Sequence, residues 1–528
     1  SATFYIGQDK VKDSPSSSHQ NSKQIVTDDL GTYEALLSNS ESYSTNNKWG
    51  NNILSLHWES ALTNKLFMNV FATYSSYKYK LRNTSNSSKL SSKSDNIADT
   101  LSYSYENSYA QYNSGIEDYS ANLDFEYLPN HWNKIKAGAK FSSQEFIQTA
   151  DMYKFTSYLN KRHTPPIKTV NIIDTLLGNK KCLKTVAFYI DDDINISERL
   201  KINAGLRYSM YMAGDKNYSF IDPRVSARLM LMDGLSFKAS YSVMSQGIYL
   251  LSSSNLTTPS DLWVSATENI EPMKSNQYAA GLFYEFKNIF DFSIEGYYKT
   301  MDKVLDYKEG VSYMTAKDDW EGLVAVGKGW SYGIEFLLQK KVGRTTGWLS
   351  YTWSKAYRQY DKAGNIINGG DKFYANNDCR NNISLTVSHK FNKHWELSGT
   401  FVYHTGKHGI LTTDAMYSGS PTRYDSYYKV IDGSIHTGHI SYTDDPVTDI
   451  KSIYRYFTYR ERNGYKLPDY HRLDLSLSYM IAHKIGESIV NLSIYNIYNR
   501  MNISNIYIGY DNNKSVLKGV CIFPFMPS

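Results

Sequence analysis

Three cysteines, Cys182, Cys379 and Cys521, are all that 528 residues contain. An odd number without short spacing gives neither a disulfide framework nor a metal knuckle, so they read as incidental. The chain also lacks any run of about twenty apolar residues, which excludes a helical membrane protein. Net charge is only +5 and is spread along the chain, without the clustered Lys and Arg of a nucleic-acid footprint. The opening SATFYIGQDK has no Met, no basic region and no apolar core, so no targeting signal stands there. Hydrolase signatures such as GxSxG and HExxH are absent, and GKGWSYG (327–333) is followed by a strand pattern where a phosphate loop needs Lys-Ser/Thr and a helix. The expectation is therefore a protein without catalytic residues and without a cofactor.

What the chain does contain is aromatic residues, 15% of the total, with 47 Tyr against 21 Phe and 9 Trp. Tyr favours strands, and surfaces where a ring meets an apolar and a wet phase together. Periodicity agrees. In YSANLDFEYL, Tyr119, Ala121, Leu123, Phe125 and Tyr127 alternate with Ser120, Asn122, Asp124 and Glu126. The same beat runs through KINAGLRYSM (201–210), LSFKASYSV (235–243) and HRLDLSLSYM (471–480). At 382–406, NISLTVSHKFNKHWELSGTFVYHTG, two alternating runs are joined by little more than Asn392 and Lys393.

About seventeen such strands can be counted, most of roughly 9 to 14 residues, against about five or six in soluble sheets. The connections alternate in length. Short turns are expected at Thr63 and Asn64, at 129–132, at Ser197 and Glu198, at 232–234, at KNIF, at KVGRTTG, at Asn392 and Lys393, and at AHKIGE. Long loops are expected at 82–115, 147–183, 247–272, 302–328, 358–377 and 405–469, with a medium one around Gly214. Short turns on one side and long loops on the other predict an all-β fold, a transmembrane antiparallel β-barrel, whose apolar half faces lipid and whose polar half faces a wet lumen. Trp49, Trp58, Trp132, Trp330, Trp348, Trp353 and Trp395 are candidates for the interfacial girdles. A soluble β-sandwich or repeat protein is the competing architecture; its strands would be shorter and its loops would not alternate.

The stretches DPRVSARL (222–229), LWVSATENIEPMKSNQYAAGLFYEF (262–286), GWSYGIEFLLQKKVGRTTGWLSYTWSKAYR (329–358), LPDYHRLDLSLSY (467–479) and NLSIYNIYNRMN (491–502) resemble the barrel of TonB-dependent outer-membrane receptors of Gram-negative bacteria. The resemblance covers essentially the whole chain, 1–528, as a partial barrel domain. It implies about seventeen strands of a 22-stranded barrel, with an N-terminal plug and a TonB-contacting segment that this chain does not contain. The final FPFMPS resembles the point just before the family's last strand, so a fragment of a longer protein is expected.

The candidate site residues lie in the long loop before Asp469. Tyr417, Tyr424, Tyr427 and Tyr428 form one cluster, and Tyr454, Tyr456 and Tyr459 interleave with Arg455, Arg460 and Arg462 in another. Tyr and Arg anchor interfaces and stack on sugars or planar ligands, so Tyr417, Tyr424, Tyr454, Tyr456, Arg455 and Arg460 are expected to capture a ligand at the extracellular surface. His404 and His408 in HTGKH, with His436 and His439 in HTGH, are weak candidates for a metal or haem; as hydrophilic loop residues they need no such role. Asp191, Asp192 and Asp193 are expected near the periplasmic end, lining the lumen or pairing with Lys and Arg. Arg207, Arg228, Lys238, Glu285, Glu295 and Glu335 are candidates for a luminal ladder facing the plug.

The function implied by the resemblance is active import of a scarce nutrient, bound at the outer loops and passed to the periplasm when TonB remodels the plug. The expected partners are outer-membrane lipid, TonB through a segment outside this chain, and a siderophore, haem, cobalamin, glycan or peptide ligand; a surface lipoprotein is a further candidate. A plugless passive pore or a surface-binding barrel is the alternative.

Overall fold

The computed structural model describes all residues other than 13–15, 29–30, 93–99, 162–166, 253–260, 310–319, 412–413, 419–427, 432–433, 438–453, 459–460, 484–485, 512–513, 522 and 528. Among the described residues there is no α-helix; two short 3-10 turns interrupt a chain of strands.

The N-terminal third forms β1 (Ala2–Lys12), β2 (Ser16–Asp28), β3 (Gly31–Ala61), β4 (Leu66–Ser92), β5 (Thr100–Tyr127), β6 (Asn133–Asn160) and β7 (Ile167–Asn195). The middle adds β8 (Leu200–Ala213), β9 (Lys216–Met232), β10 (Leu235–Gln246), a small hairpin of β11 (Ile248–Leu251) and β12 (Leu262–Ser265), β13 (Met273–Phe286), β14 (Phe290–Tyr307), β15 (Val324–Lys340), β16 (Thr345–Gln359) and the two-residue β17 (Phe373–Tyr374). The last part holds β18 (Asn381–Lys390), β19 (Trp395–His404), the loop strands β20 (His408–Gly409), β21 (Asp414–Ser418), β22 (Tyr428–Ile431), β23 (Ser434–Thr437), β24 (Tyr454–Thr458) and β25 (Tyr465–Lys466), then β26 (Tyr470–His483), β27 (Gly486–Tyr495), β28 (Ile503–Asp511), β29 (Lys514–Cys521) and β30 (Met526–Pro527).

Pairing is antiparallel and sequential: β1 and β2 lie end to end along β3, and the meander continues through β10, β13–β16, β18, β19, β26 and β27 to β30. Counting β1 and β2 as one, seventeen wall strands precede β30 among the described residues, the number read from alternation.

Register identifies the faces. Tyr241 pairs with Tyr278 and Tyr278 with Tyr298, and Leu338, Leu349, Leu385 and Phe401 continue one row of the same outward set. These are large apolar side chains left exposed, as in Tyr278 (51%) and Phe188 (54%). In water such a continuous belt would be costly; facing lipid it is the wall of a transmembrane β-barrel. The opposite parity carries Asp191, Asn203, Arg207, Asp222 and Arg224.

Two expectations are corrected. Residues 82–115 and 147–183 are not loops but continuous sheet, so β3 to β7 run for 31, 27, 28, 28 and 29 residues. About 9 to 11 residues suffice to cross a membrane, so the remainder projects beyond it. Alternation was invisible there because the outward face of the projection meets water, and the inward face is covered in part by loop residues far away in the chain, as where Tyr112 and Gln148 meet the β11–β12 hairpin. Gly214, taken as a medium loop, is one corner of a tight turn closing the Ala213 to Lys216 pair, with a φ of 59° that suits glycine. Of the seven Trp girdle candidates, Trp49 packs inward on a buried cluster and Trp348 shares the inward register of Gln339 and Thr386. Trp58, Trp132 and Trp395 lie exposed at the short-turn end.

Candidate functional site

The short turns gather at one end of the strands, and the other end is an elaborated mouth. One side of it is the connection from β10 to β13. Its hairpin β11–β12 folds back over the inward face of β4 to β9, where Leu262, Val264 and Leu251 join Tyr79, Tyr112, Tyr249 and Trp320 in a buried cluster. Polar anchors fix it: Gln148 Nε2 donates to the Trp263 carbonyl at 2.9 Å, Tyr218 OH donates to the Thr267 carbonyl at 2.9 Å, and Tyr249 OH bonds the Glu271 carbonyl. Held by these bonds and by its buried apolar side chains, the hairpin narrows the lumen on the inward face.

The other side is built by the β16–β18 connection and by the two ends of the long loop between β19 and β26. Tyr360, Phe373, Ile367 and Ala325 form its apolar seat, each at most 1% exposed. Around this seat, Asn463 Nδ2 donates to the Tyr374 carbonyl at 2.7 Å and to Asn376 Oδ1 at 2.5 Å, while Arg462 reaches Asp306 at 2.8 Å. On the opposite, outward face at the outer ends of β15 and β16, rings run from Trp330 to Tyr357 (5.8 Å), Tyr374 (5.0 Å) and His408 (4.1 Å). Arg380 and Lys372 lie over Tyr374 and Tyr357. The Arg380 guanidinium, hydrogen-bonded to the Tyr374 phenol, pulls it below its usual pKa. Such a row of rings edged by cations can stack on a planar or sugar ligand.

The HTGKH motif is divided. His404 sits on the inward face, stacked on Tyr470 at 4.7 Å, with Nδ1 3.0 Å from the Thr405 carbonyl. His408 faces the other way, its Nε2 3.6 Å from Oδ2 of buried Asp378, and burial lowers its pKa against the pull of that carboxylate. Among the described residues no three His, Cys, Asp or Glu side chains converge on a metal position. Cys379 is half-buried, which pushes its thiol pKa up and makes it a poor nucleophile.

Of the ligand-capture candidates, Tyr417 and Arg455 occupy opposed positions of the β21–β24 hairpin, with Met416 opposite Tyr456 and Ser418 opposite Tyr454. His436 lies opposite Lys429 in β22–β23. Tyr424, Arg460 and His439 fall outside the described residues. Arg462, read as part of the same surface run, is instead buried and holds the base of the loop; its carboxylate partner, 156 residues away, could not be read from the local pattern. Asp378, Arg380, Tyr374 and Asn463 were missed for the same reason, since irregular loops have no period.

Inside the wall, Asp191 is 4% exposed. It accepts from Arg224 Nε at 2.7 Å and from Asn203 Nδ2 at 2.5 Å, and Asn203 also reaches Asp193 at 2.7 Å. Asp192 takes the opposite parity and accepts from Asn133 at 2.7 Å. Arg207, Arg228, Lys238, Glu285, Glu295 and Glu335 share the inward parity. Arg228, Lys238 and Glu295 line a recess of about 470 Å³ with Lys201 and Asn203. Lys238 lies 3.8 Å over the Phe283 ring rather than in an ion pair.

Among curated proteins none matches the chain. Solved structures to which the chain is similar include the FrpB iron transporter from Neisseria meningitidis, F3-3 variant (11% identity, 97% of this chain and 78% of that one, TM-score 0.48). They also include the siderophore receptor PiuA from Acinetobacter baumannii (10%, 99% and 80%, 0.49). The model of the family described as TonB dependent receptor-like, beta-barrel, matches residues 4–499. An antiparallel meander with an apolar outward belt, a polar inward wall and an elaborated mouth is what that family's barrel requires, and the chain belongs to it.

Proposed function

We propose that the protein is a gated importer of the outer membrane of a Gram-negative bacterium, binding a scarce nutrient at its external mouth and passing it to the periplasm through TonB-driven movement of a plug. The observation that carries this reading is the family match over residues 4–499, which takes in the whole run of wall strands. The mouth supports it: two lobes buried against the wall hold fixed positions, while rings and cations stand at the rim. In this reading residues 1–528 form the barrel domain, and the inward network of Asp191, Asn203 and Arg224 faces the plug.

Ligand capture falls to Tyr417, Tyr424, Tyr454, Tyr456, Arg455 and Arg460, working with the ring row of Tyr357, Tyr374 and His408. The protein adds no chemistry to what it carries; recognition and release are its work. A siderophore, haem, cobalamin, glycan or peptide all suit a mouth of tyrosines and arginines, and a surface lipoprotein could cover it.

The test is uptake of labelled candidate nutrients by cells carrying the full-length protein, with and without TonB and with and without the proton gradient. Uptake of one ligand class that stops when TonB is removed is the expected result. Uptake that continues without TonB would replace this reading with a passive pore.

A further inference from the structure

His408 stands where the long external loop leaves the wall. It opens β20, whose pairing of His408 with Lys466 and of Gly409 with Tyr465 closes the foot of that loop. In the same ladder the Leu467 N–H donates to the Lys407 carbonyl at 2.9 Å. The His408 side chain is 13% exposed and packs on the Tyr374 ring at 4.1 Å. Beside it lies Asp378, whose side chain is fully buried. Oδ1 of Asp378 accepts the Ala356 N–H at 2.6 Å, which ties the carboxylate to β16. Its Oδ2 lies 3.6 Å from His408 Nε2 and 3.6 Å from Arg380 Nη2, and has no hydrogen bond among the described residues. The other ring nitrogen, His408 Nδ1, is sealed from solvent and likewise has no partner among them.

This seat suits a neutral imidazole and opposes a charged one. A neutral ring can turn its single N–H toward Asp378; a second proton adds an N–H at Nδ1, buried with nothing to accept it. The Asp378 carboxylate favours that proton, but its charge is already shared with Arg380, which stays positive at every relevant pH. Of the other groups facing the ring, Lys466 on β25 and Glu461 in the turn before it carry one charge of each sign, and the Tyr374 phenol is bonded to Arg380. Burial outweighs the carboxylate and lowers the His408 pKa. Released into water, a histidine titrates near 6.5, so the docked foot keeps its full stability above about pH 6.5 and loses it as the pH falls below that value. Asp469, which holds the Gly406 N–H and Lys466 at the same foot, is brought down to about 2 and keeps its charge across that window.

We propose that His408, set between Tyr374 and Asp378, is an acid-sensitive latch: neutral, it holds the foot of the ligand-capture loop against the wall, and on taking a proton it leaves its seat and frees that foot. The β20–β25 ladder is two residues long, so expelling one side chain opens much of it. Capture is thereby tied to the acidity of the surroundings, with the loop fixed near neutral pH and loosened in acid. The inference rests on the proposed function only in taking this loop as the capture surface.

The test is amide hydrogen exchange of residues 406–409 in the full-length protein in detergent micelles, expressed as protection relative to an unstructured peptide at the same pH. In the wild type, protection should fall several-fold from pH 7.5 to pH 5 while that of β8 and β9 stays constant. His408→Gln, which cannot take the proton, should show the same protection at both. Asp378→Asn keeps an acceptor for the Ala356 N–H but removes the charge that favours the proton, so it should move the transition to lower pH. Equal protection of the wild-type foot at pH 7.5 and pH 5 overturns the proposal, and so does a transition that persists unmoved in His408→Gln. If His408→Gln loosens the foot at every pH, Asp378→Asn decides: a transition displaced to lower pH upholds the latch, and an unmoved one overturns it. Exchange reads no transport, so uptake that continues without TonB would count against the importer and leave the latch standing.

Discussion

Arg462 donates through Nη2 to Oδ1 of Asp306 at 2.8 Å, joining the end of the long external loop to the outer end of β14. The side chains are only 8% and 16% exposed, so the pair is not a screened surface contact. It fixes where the loop that carries the ligand-capture candidates re-enters the wall, and it does so beside the seat of Tyr360 and Phe373, over whose ring Arg462 also lies.

Removing one partner of a buried pair strands the other charge, at a cost of about 3 to 5 kcal/mol. Arg462→Ala is expected to release residues 461–467 locally, raising their amide hydrogen exchange many-fold and weakening ligand binding, while the barrel keeps its heat-modifiable mobility. Unchanged exchange in that segment would show that the apolar seat alone holds the loop.

Asp469 closes the same loop at its other strand. The Gly406 N–H at 2.9 Å, the Tyr403 hydroxyl at 2.7 Å and Lys466 at 3.0 Å bring its pKa down to about 2. An unfolded aspartate titrates near 3.9, so the contribution is fully present above about pH 4 and is lost as the pH falls toward 2. Limited proteolysis of the mouth should therefore rise between pH 4 and pH 2.5 in the wild type. Asp469→Asn should be as sensitive at pH 7 as the wild type is at low pH.

The narrowing formed by β11–β12 depends on buried apolar contacts, among them Val264, fully buried. Val264→Lys places an unpaired cation there and should drive the hairpin off the inward face. The measurement is passive flux of small solutes through proteoliposomes holding the full-length protein; flux should rise several-fold. A flux equal to that of the wild type would mean the hairpin does not limit the lumen.

Ligand capture predicts a concentrated effect at the β21–β24 hairpin of the long loop. Arg455→Ala and the double change Tyr454→Ala/Tyr456→Ala should each weaken binding of the imported nutrient by about 1 to 3 kcal/mol, as central aromatic and arginine anchors do. Equilibrium binding on intact cells measures this. Near-wild-type affinity in both variants would move recognition to the ring row of Tyr357, Tyr374 and His408.

The belt gives a stability test. Leu282, which pairs with Phe237 and Ile294 on the outward face, should tolerate Met but not Arg. A cation near the midplane costs about 2 to 4 kcal/mol on the lipid side, read by denaturant titration in vesicles. A cost below about 0.5 kcal/mol would place Leu282 outside the hydrocarbon.

Alternation alone determined the wall. Leu123, Leu206 and Leu282 each recur two residues from a like neighbour, and a period of two has only one reading, so strand number, the two faces and the short turns were legible from the sequence. The same rule failed at 82–115, where Ser, Asn and Tyr fill both parities; no lipid meets the outward face there, so it need not be apolar, and the register of β4 with β5 reveals the sheet. The mouth was illegible for a different reason. Arg462 and Asp306 meet across 156 steps of chain and Gln148 and Trp263 across 115, and no local pattern encodes such partners. The sequence determined which solvent each face meets, because that is a property of successive side chains. Tertiary structure alone decided which charges are buried together and which loops are fixed, because those depend on the register that the folded sheet imposes.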